Sequence, residues 1–142
     1  MKTALLGLGV IAMAAAGFSP AYADDDPATF VRAHVQKIAA GDTQGLAADY
    51  RPDAILWWVG GPLDGSYPGA TIAGVWKKFV TAQGLLTPDV AGVTVDGNPK
   101  GQTVVADVTY TGAHGSLRVR QVILVRDGHV QDEIWQLVPK GQ

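Results

Sequence analysis

Apolar positions in the first half of the chain recur at helical spacing, and those in the second half alternate. Phe30, Val31, His34, Val35 and Ile38 follow one another at intervals of one, three and four, with Arg32, Gln36 and Lys37 on the other side, which predicts an amphipathic helix. Asp24-Asp25-Asp26-Pro27 puts negative charge and a first-turn proline at its start, and Gly41 ends it. Asp42 then caps a short second helix carrying Leu46, Ala47 and, at its end, Tyr50, with Pro52 as its stop. Residues 54–59 read as a strand, broken by Gly60-Gly61-Pro62. Turns at Asp64-Gly65 and Pro68-Gly69 flank a very short Ser66-Tyr67 segment, and a third helix follows with Ile72, Val75, Trp76, Phe79 and Val80 on one face.

From residue 87 the period is two. Residues 87–96, 103–111, 116–126 and 129–138 are expected strands, separated by Gly-rich turns of which Asp127-Gly128 has the type and length of a tight hairpin. Helices first and strands afterwards predict one α+β domain: three N-terminal helices packed against a curled antiparallel sheet.

Ahead of this domain the pattern changes again. Met1-Lys2-Thr3 is a short positive start, residues 4–18 carry no charge, and Ser19-Pro20 leads to Ala21-Tyr22-Ala23, the three parts of a cleaved secretory signal peptide. The apolar run is shorter than the roughly 20 residues a bilayer span needs. The expectation is therefore a signal peptide over residues 1–23, a single domain over residues 24–142, an extracytoplasmic location (periplasmic or secreted), and no membrane attachment after cleavage.

Composition narrows the chemistry. The chain has no Cys, which removes disulfides, thiolate nucleophiles and Cys-ligated metals. Its net charge of −2 offers no basic surface, so no nucleic-acid partner is expected. His114 and His129 fall in turns, remote from His34, and neither HxH nor HExxH occurs, so no metal site is expected. No cofactor motif is present either, which leaves carboxylates, His, hydroxyl and amide groups.

The order of elements resembles the SnoaL-like branch of the nuclear-transport-factor-2-like (NTF2-like) superfamily, a cone-shaped α+β fold that includes ketosteroid isomerases, dehydratases, epoxide hydrolases and non-catalytic binding or dimerisation modules. The resemblance spans residues 27–138. It rests on Ala40-Gly41-Asp42, Leu46, Tyr50-Arg51-Pro52-Asp53-Ala54, the Gly-rich stretch into Ile72, Trp76 and Phe79, and four strands with Asp127-Gly128-His129-Val130 and Trp135. It implies a cavity lined by the first helix and the inward sheet face. It also implies that the ketosteroid isomerase mechanism is absent: His34 aligns with that family's phenol donor, Trp58 with its general base and Gln121 with its protonated-Asp donor.

Periodicity fills in the pocket. His34 lies on the buried stripe of the first helix. Pairing Thr111 with Leu117 sets Asp107 opposite Gln121, with Val105, Thr109, Val119 and Ile123 on the same inward face. Val108, Tyr110, Arg118 and Arg120 then fall outside, the wrong face for an epoxide-hydrolase-like Asp107–Arg–Asp132 set. His34 and Asp107 are the candidate catalytic pair, with the carboxylate fixing the imidazole tautomer; the same two groups can equally do no more than satisfy each other as buried polar side chains. Trp58, Gln121, Glu133 and Trp135 are the candidate ligand contacts, Glu133 because it shares parity with Trp135. Three functions stay open: an exported small-molecule-binding domain for an apolar or carbonyl-containing ligand, a cofactor-independent lyase, isomerase or hydrolase using His34 and Asp107, and an interaction module that forms a homodimer through the outside of its sheet.

Overall fold

A computed structural model describes residues 26–141. The expected signal peptide, and with it the domain boundary at residue 24, lies outside the described residues. Helix α1 (Pro27–Ala40) begins with proline in its first turn and closes at Gly41 in the left-handed conformation, φ 71°, where a Cβ would also press on Val80. Asp42 caps α2 (Thr43–Asp49) by accepting the Gly45 N–H at 2.9 Å. Then come β1 (Tyr50–Val59), β2 (Gly65–Pro68), a single 3₁₀ turn (Gly69–Thr71), α3 (Ile72–Gln83), β3 (Leu86–Asn98), β4 (Gly101–Gly112), β5 (Gly115–Arg126) and β6 (His129–Val138). Among the described residues no helix is long and apolar enough to cross a membrane.

The six strands form one sheet in the order β2-β1-β6-β5-β4-β3. It is mixed rather than wholly antiparallel, because β1 runs parallel to β6 while every other neighbouring pair is antiparallel. The α+β expectation holds, with three helices on a curled sheet. Helix α1 packs against β3 and β4, and α3 against α2 and β2, so the helices cover one face.

Two local readings change. Tyr50 opens β1 instead of ending α2, and Pro52 lies inside β1. It falls between the Tyr50 and Ile55 pairs of the β1–β6 ladder, where the register shifts, so its missing N–H interrupts no paired position. The β5–β6 hairpin turns on Asp127-Gly128 as expected, both with positive φ (50° and 71°).

The β4–β5 register differs by one residue from the sequence expectation. The turn closes on Ala113 and His114, with Gly112 paired to Gly115 and Thr111 to Ser116. Asp107 therefore faces Arg120, and Ala106 faces Gln121. Because side chains alternate, this single step exchanges the faces of β4. Val104, Ala106, Val108 and Tyr110 point inward with Val119, Gln121, Ile123 and Val125, all buried. Val105, Asp107 and Thr109 share the outer face with the arginines.

Candidate functional site

The covered sheet face and the buried stripes of the helices enclose a core with two halves. One half is aromatic. Trp58 from β1, Trp76 and Phe79 from α3, Tyr110 from β4 and Trp135 from β6 meet with ring centroids 5.0–5.8 Å apart, tilted or edge to face. Trp58 is inward and Trp57, its neighbour, is 46% exposed, as strand alternation requires.

The other half is ionic. His34, at the centre of the α1 stripe, is fully buried and stands between two carboxylates: Asp49 at 2.8 Å from Nδ1 and Glu133 at 3.0 Å from Nε2. Lys37, one turn along α1, donates to the other oxygen of Asp49 at 2.6 Å. Glu133 also receives the Tyr50 hydroxyl in a short contact at the oxygen that His34 reaches, while Gln121 donates to its second oxygen at 2.9 Å. Trp76 donates to Tyr50 at 2.9 Å, and Tyr110 donates to Gln121 at 2.6 Å. Helices α1, α2 and α3 and the strands β1, β4, β5 and β6 thus contribute to one hydrogen-bonded row, and its Trp76 and Tyr110 members belong to both halves of the core.

A local irregularity aims Glu133 inward. Val130 pairs with Val125 and Asp132 with Leu124, so Gln131 is an extra residue bulged out of β6. Without it, Val130 and Glu133, three residues apart, would face opposite ways; with it, both are fully buried. Asp132 takes the outward direction and is partly exposed.

The electrostatics follow from these contacts. Burial alone would push the His34 pKa down, but Glu133 and Asp49 outweigh it and raise it from 6.5 to about 9, so the ring is an imidazolium at neutral pH. Burial likewise acts to raise the Asp49 pKa, and is outweighed by His34 and Lys37, which hold it below its ordinary value. Tyr50 and Tyr110 are pushed well up, by burial first and by the charge of Glu133 second, so both stay protonated as donors. Lys37, Asp49, His34 and Glu133 make a row of alternating sign with no net charge. One end reaches solvent: a cleft of about 250 Å³ between Phe30, Ala33, Ala48 and His129 has Lys37 and Asp49 on its walls. Chemically, the row can hold a proton between His34 and Glu133 and exchange it through Asp49. Among the described residues no cluster of three or more His, Asp or Glu is arranged to hold a metal ion.

Of the six residues singled out from sequence, five lie in this core: His34, Trp58, Gln121, Glu133 and Trp135. Asp107 does not. It is half exposed on the outer face and paired with Arg120, whose Nε lies 2.9 Å from its Oδ1, so it cannot be the partner of His34. Asp49 and Glu133 take that place. Sequence reasoning missed Lys37, Asp49, Tyr50, Trp76 and Tyr110 as members of the row. Asp49 carries a readable signal, since it sits three residues after the buried Leu46 and so belongs to its helical face; Tyr50 is already the first residue of β1.

By sequence, neither a family model nor a curated protein matches the chain. Its structure is similar to many solved ones. An NTF2-like protein of unknown function from Pseudomonas putida KT2440 superposes with a TM-score of 0.66 at 16% identity, over 77% of this chain and 82% of that one. The chain has the NTF2-like fold. A Sinorhizobium meliloti protein assigned as a polyketide cyclase is also similar (TM-score 0.57, 19% identity, 75% of this chain and 93% of that one). So is a de novo designed protein with a curved β-sheet (TM-score 0.63, 19% identity, 80% and 83%). Similarity to both a protein assigned as a polyketide cyclase and a designed one specifies no reaction, and function has to be argued from the residues inside the fold.

Proposed function

We propose that this chain is an exported protein that binds a small apolar or carbonyl-containing molecule between α1, α3 and the inner sheet face, with Trp58, Gln121, Glu133 and Trp135 as its contacts. The observation that carries the reading is the adjacency of five aromatic rings and a polar row centred on one carboxylate, the mixture of apolar wall and few fixed polar groups that small-molecule sites use. Trp58, Trp76, Phe79 and Trp135 are at most 4% exposed, so binding there requires these rings to move apart. Native mass spectrometry after incubation with a small-molecule cell extract tests this. A retained compound at one per chain that quenches tryptophan fluorescence is expected; an empty protein with unchanged fluorescence contradicts it. Export is tested separately, by whether the N-terminus of protein recovered from outside the cytoplasm is Asp24.

A second reading, a cofactor-independent lyase, isomerase or hydrolase, is favoured by one observation: His34, as a cation, is hydrogen-bonded to an interior carboxylate. The acid–base pair is then His34 with Glu133, not with Asp107. Turnover of the retained compound that vanishes in Glu133→Gln while its binding persists is the expected result; unchanged turnover rejects the reading. A homodimer through the outer face is supported by Trp57, Val59 and Ile134, which are 46%, 42% and 38% exposed on adjoining strands. A monomer by sedimentation at micromolar concentration rejects it.

A further inference from the structure

The solvent end of the buried row opens into a cleft that the interior reading does not use. Its walls are Phe30, Ala33 and Lys37 on α1, Ala48 and Asp49 at the end of α2, and the β5–β6 turn at Gly128, and its volume is about 250 Å³. Positions 30, 33 and 37 are spaced by three and four residues, so one side of α1 presents all of them. Phe30 is half-buried, while Ala33 and Ala48 are exposed. The cleft therefore combines apolar walls with one ion pair, and both members of that pair are reachable from it, Lys37 with 33% of its side chain exposed and Asp49 with 8%.

The pair has hydrogen-bonding capacity left over. Of the Lys37 ammonium N–H groups, one goes to Asp49 at 2.6 Å. The two Asp49 oxygens have about four acceptor sites between them and take one bond each, from Lys37 and from His34. Charge, by contrast, is already balanced. An anion at Lys37 meets the Asp49 carboxylate beside it, and a cation at Asp49 meets Lys37 and His34. A zwitterion has to break the 2.6 Å pair and give up the hydration of both its own charges. Uncharged hydroxyls need neither, because they accept from Lys37 and donate to Asp49 with the pair intact. The volume sets the size: it falls below the roughly 300–1,000 Å³ of sites for drug-sized molecules, so one small ring fits.

We propose that this cleft is a second ligand site, for a small uncharged polyol of the monosaccharide kind. Neighbouring hydroxyls bind Lys37 and Asp49, and the C–H face of the ring packs against Phe30, Ala33 and Ala48. The site is separate from the interior one and stands whether or not the interior binds anything. Because Asp49 is also the partner of His34, occupancy of the cleft reaches the buried row.

An NMR titration with methyl β-D-glucopyranoside tests the site, against 2-methoxytetrahydropyran, the same ring and methoxy group stripped of hydroxyls. The glucoside is expected to give saturable shifts at the Phe30, Ala33, Ala48 and Gly128 amides and at the His34 ring nitrogens; the stripped ring is expected to give none. Ala33→Leu, at an exposed helical position where leucine is well tolerated, fills the cleft and is expected to abolish the shifts. Lys37→Met is expected to weaken glucoside binding about tenfold, the loss of one hydrogen bond to a charged group. The absence of saturable shifts with the glucoside, equal shifts with the stripped ring, or shifts that persist in Ala33→Leu would each overturn the inference. Cleft shifts with leucine or acetate that exceed those with the glucoside would assign the site to a charged ligand and overturn it as well.

Discussion

Asp107 and Glu133 stand on opposite faces of one sheet, each with a cation within 3.0 Å. On the outer face, Asp107 and Arg120 are both about half exposed, so either partner exchanges the other for water at little cost. On the inner face, Glu133 and His34 are fully buried, and neither has water to fall back on. Distance is the same and consequence is not. The inner pair persists only because Asp49, Tyr50 and Gln121 complete its hydrogen bonds, and that completeness ties its ionisation to the fold.

The contrast breaks most visibly at Glu133. Glu133→Ala leaves the His34 cation and the Gln121 amide without their shared partner, and is expected to cost about 3–5 kcal/mol in denaturant unfolding, the range for removing one member of a buried pair. A loss no greater than that of Asp107→Asn would mean that solvent reaches the inner row.

A pH series sharpens the same point. The folded-state pKa of His34, about 9, lies above the ordinary 6.5, so its stabilisation is complete below pH 6.5 and is lost as pH rises through about 9. For a shift of this size the loss is about 3 kcal/mol, read as a falling denaturation midpoint between pH 7 and 10. Asp107→Asn is expected to leave that alkaline profile unchanged, and Glu133→Gln to flatten it.

Asp49→Asn is the next smaller effect. It removes the charge facing Lys37 and His34 but keeps an oxygen in place, so about 1–3 kcal/mol of stability is expected to go, together with a fall in the His34 pKa. Wild-type protein should also lose the Asp49 contribution as acid takes the pH below the ordinary carboxylate range, because the folded-state pKa is depressed. Smallest of all is Asp107→Asn, for which no measurable shift in unfolding midpoint is expected; a clear loss would show that the outer face is covered in solution.

Much of this architecture was readable in the residues, and the failures share a physical origin. Helix α1, its Gly41 stop, the α2 cap and the Asp127-Gly128 hairpin follow from local preferences that the structure leaves intact. The β4–β5 register does not follow from local preference. Gly112-Ala113-His114-Gly115 can close as a two-residue turn or a looser one, and the alternatives differ by one residue. That step placed Asp107 inside on paper and Tyr110 outside, the reverse of their positions. The parallel β1–β6 pairing and the bulge at Gln131 are tertiary features with no marker of their own in sequence. Five of the six chosen residues still fall in the core, because parity along a single strand or helix survives an error in which strand it faces. What required the fold was the partner of His34, supplied from 15 and 99 residues away.

The most direct measurement is a nitrogen-15 NMR titration of the His34 ring in wild-type protein. Both ring nitrogens are expected to be protonated at pH 7, with a midpoint near pH 9 and no change in Asp107→Asn. A ring that is neutral at pH 7, or a midpoint at or below 6.5, would contradict the inner ionic row and with it the site built around Glu133.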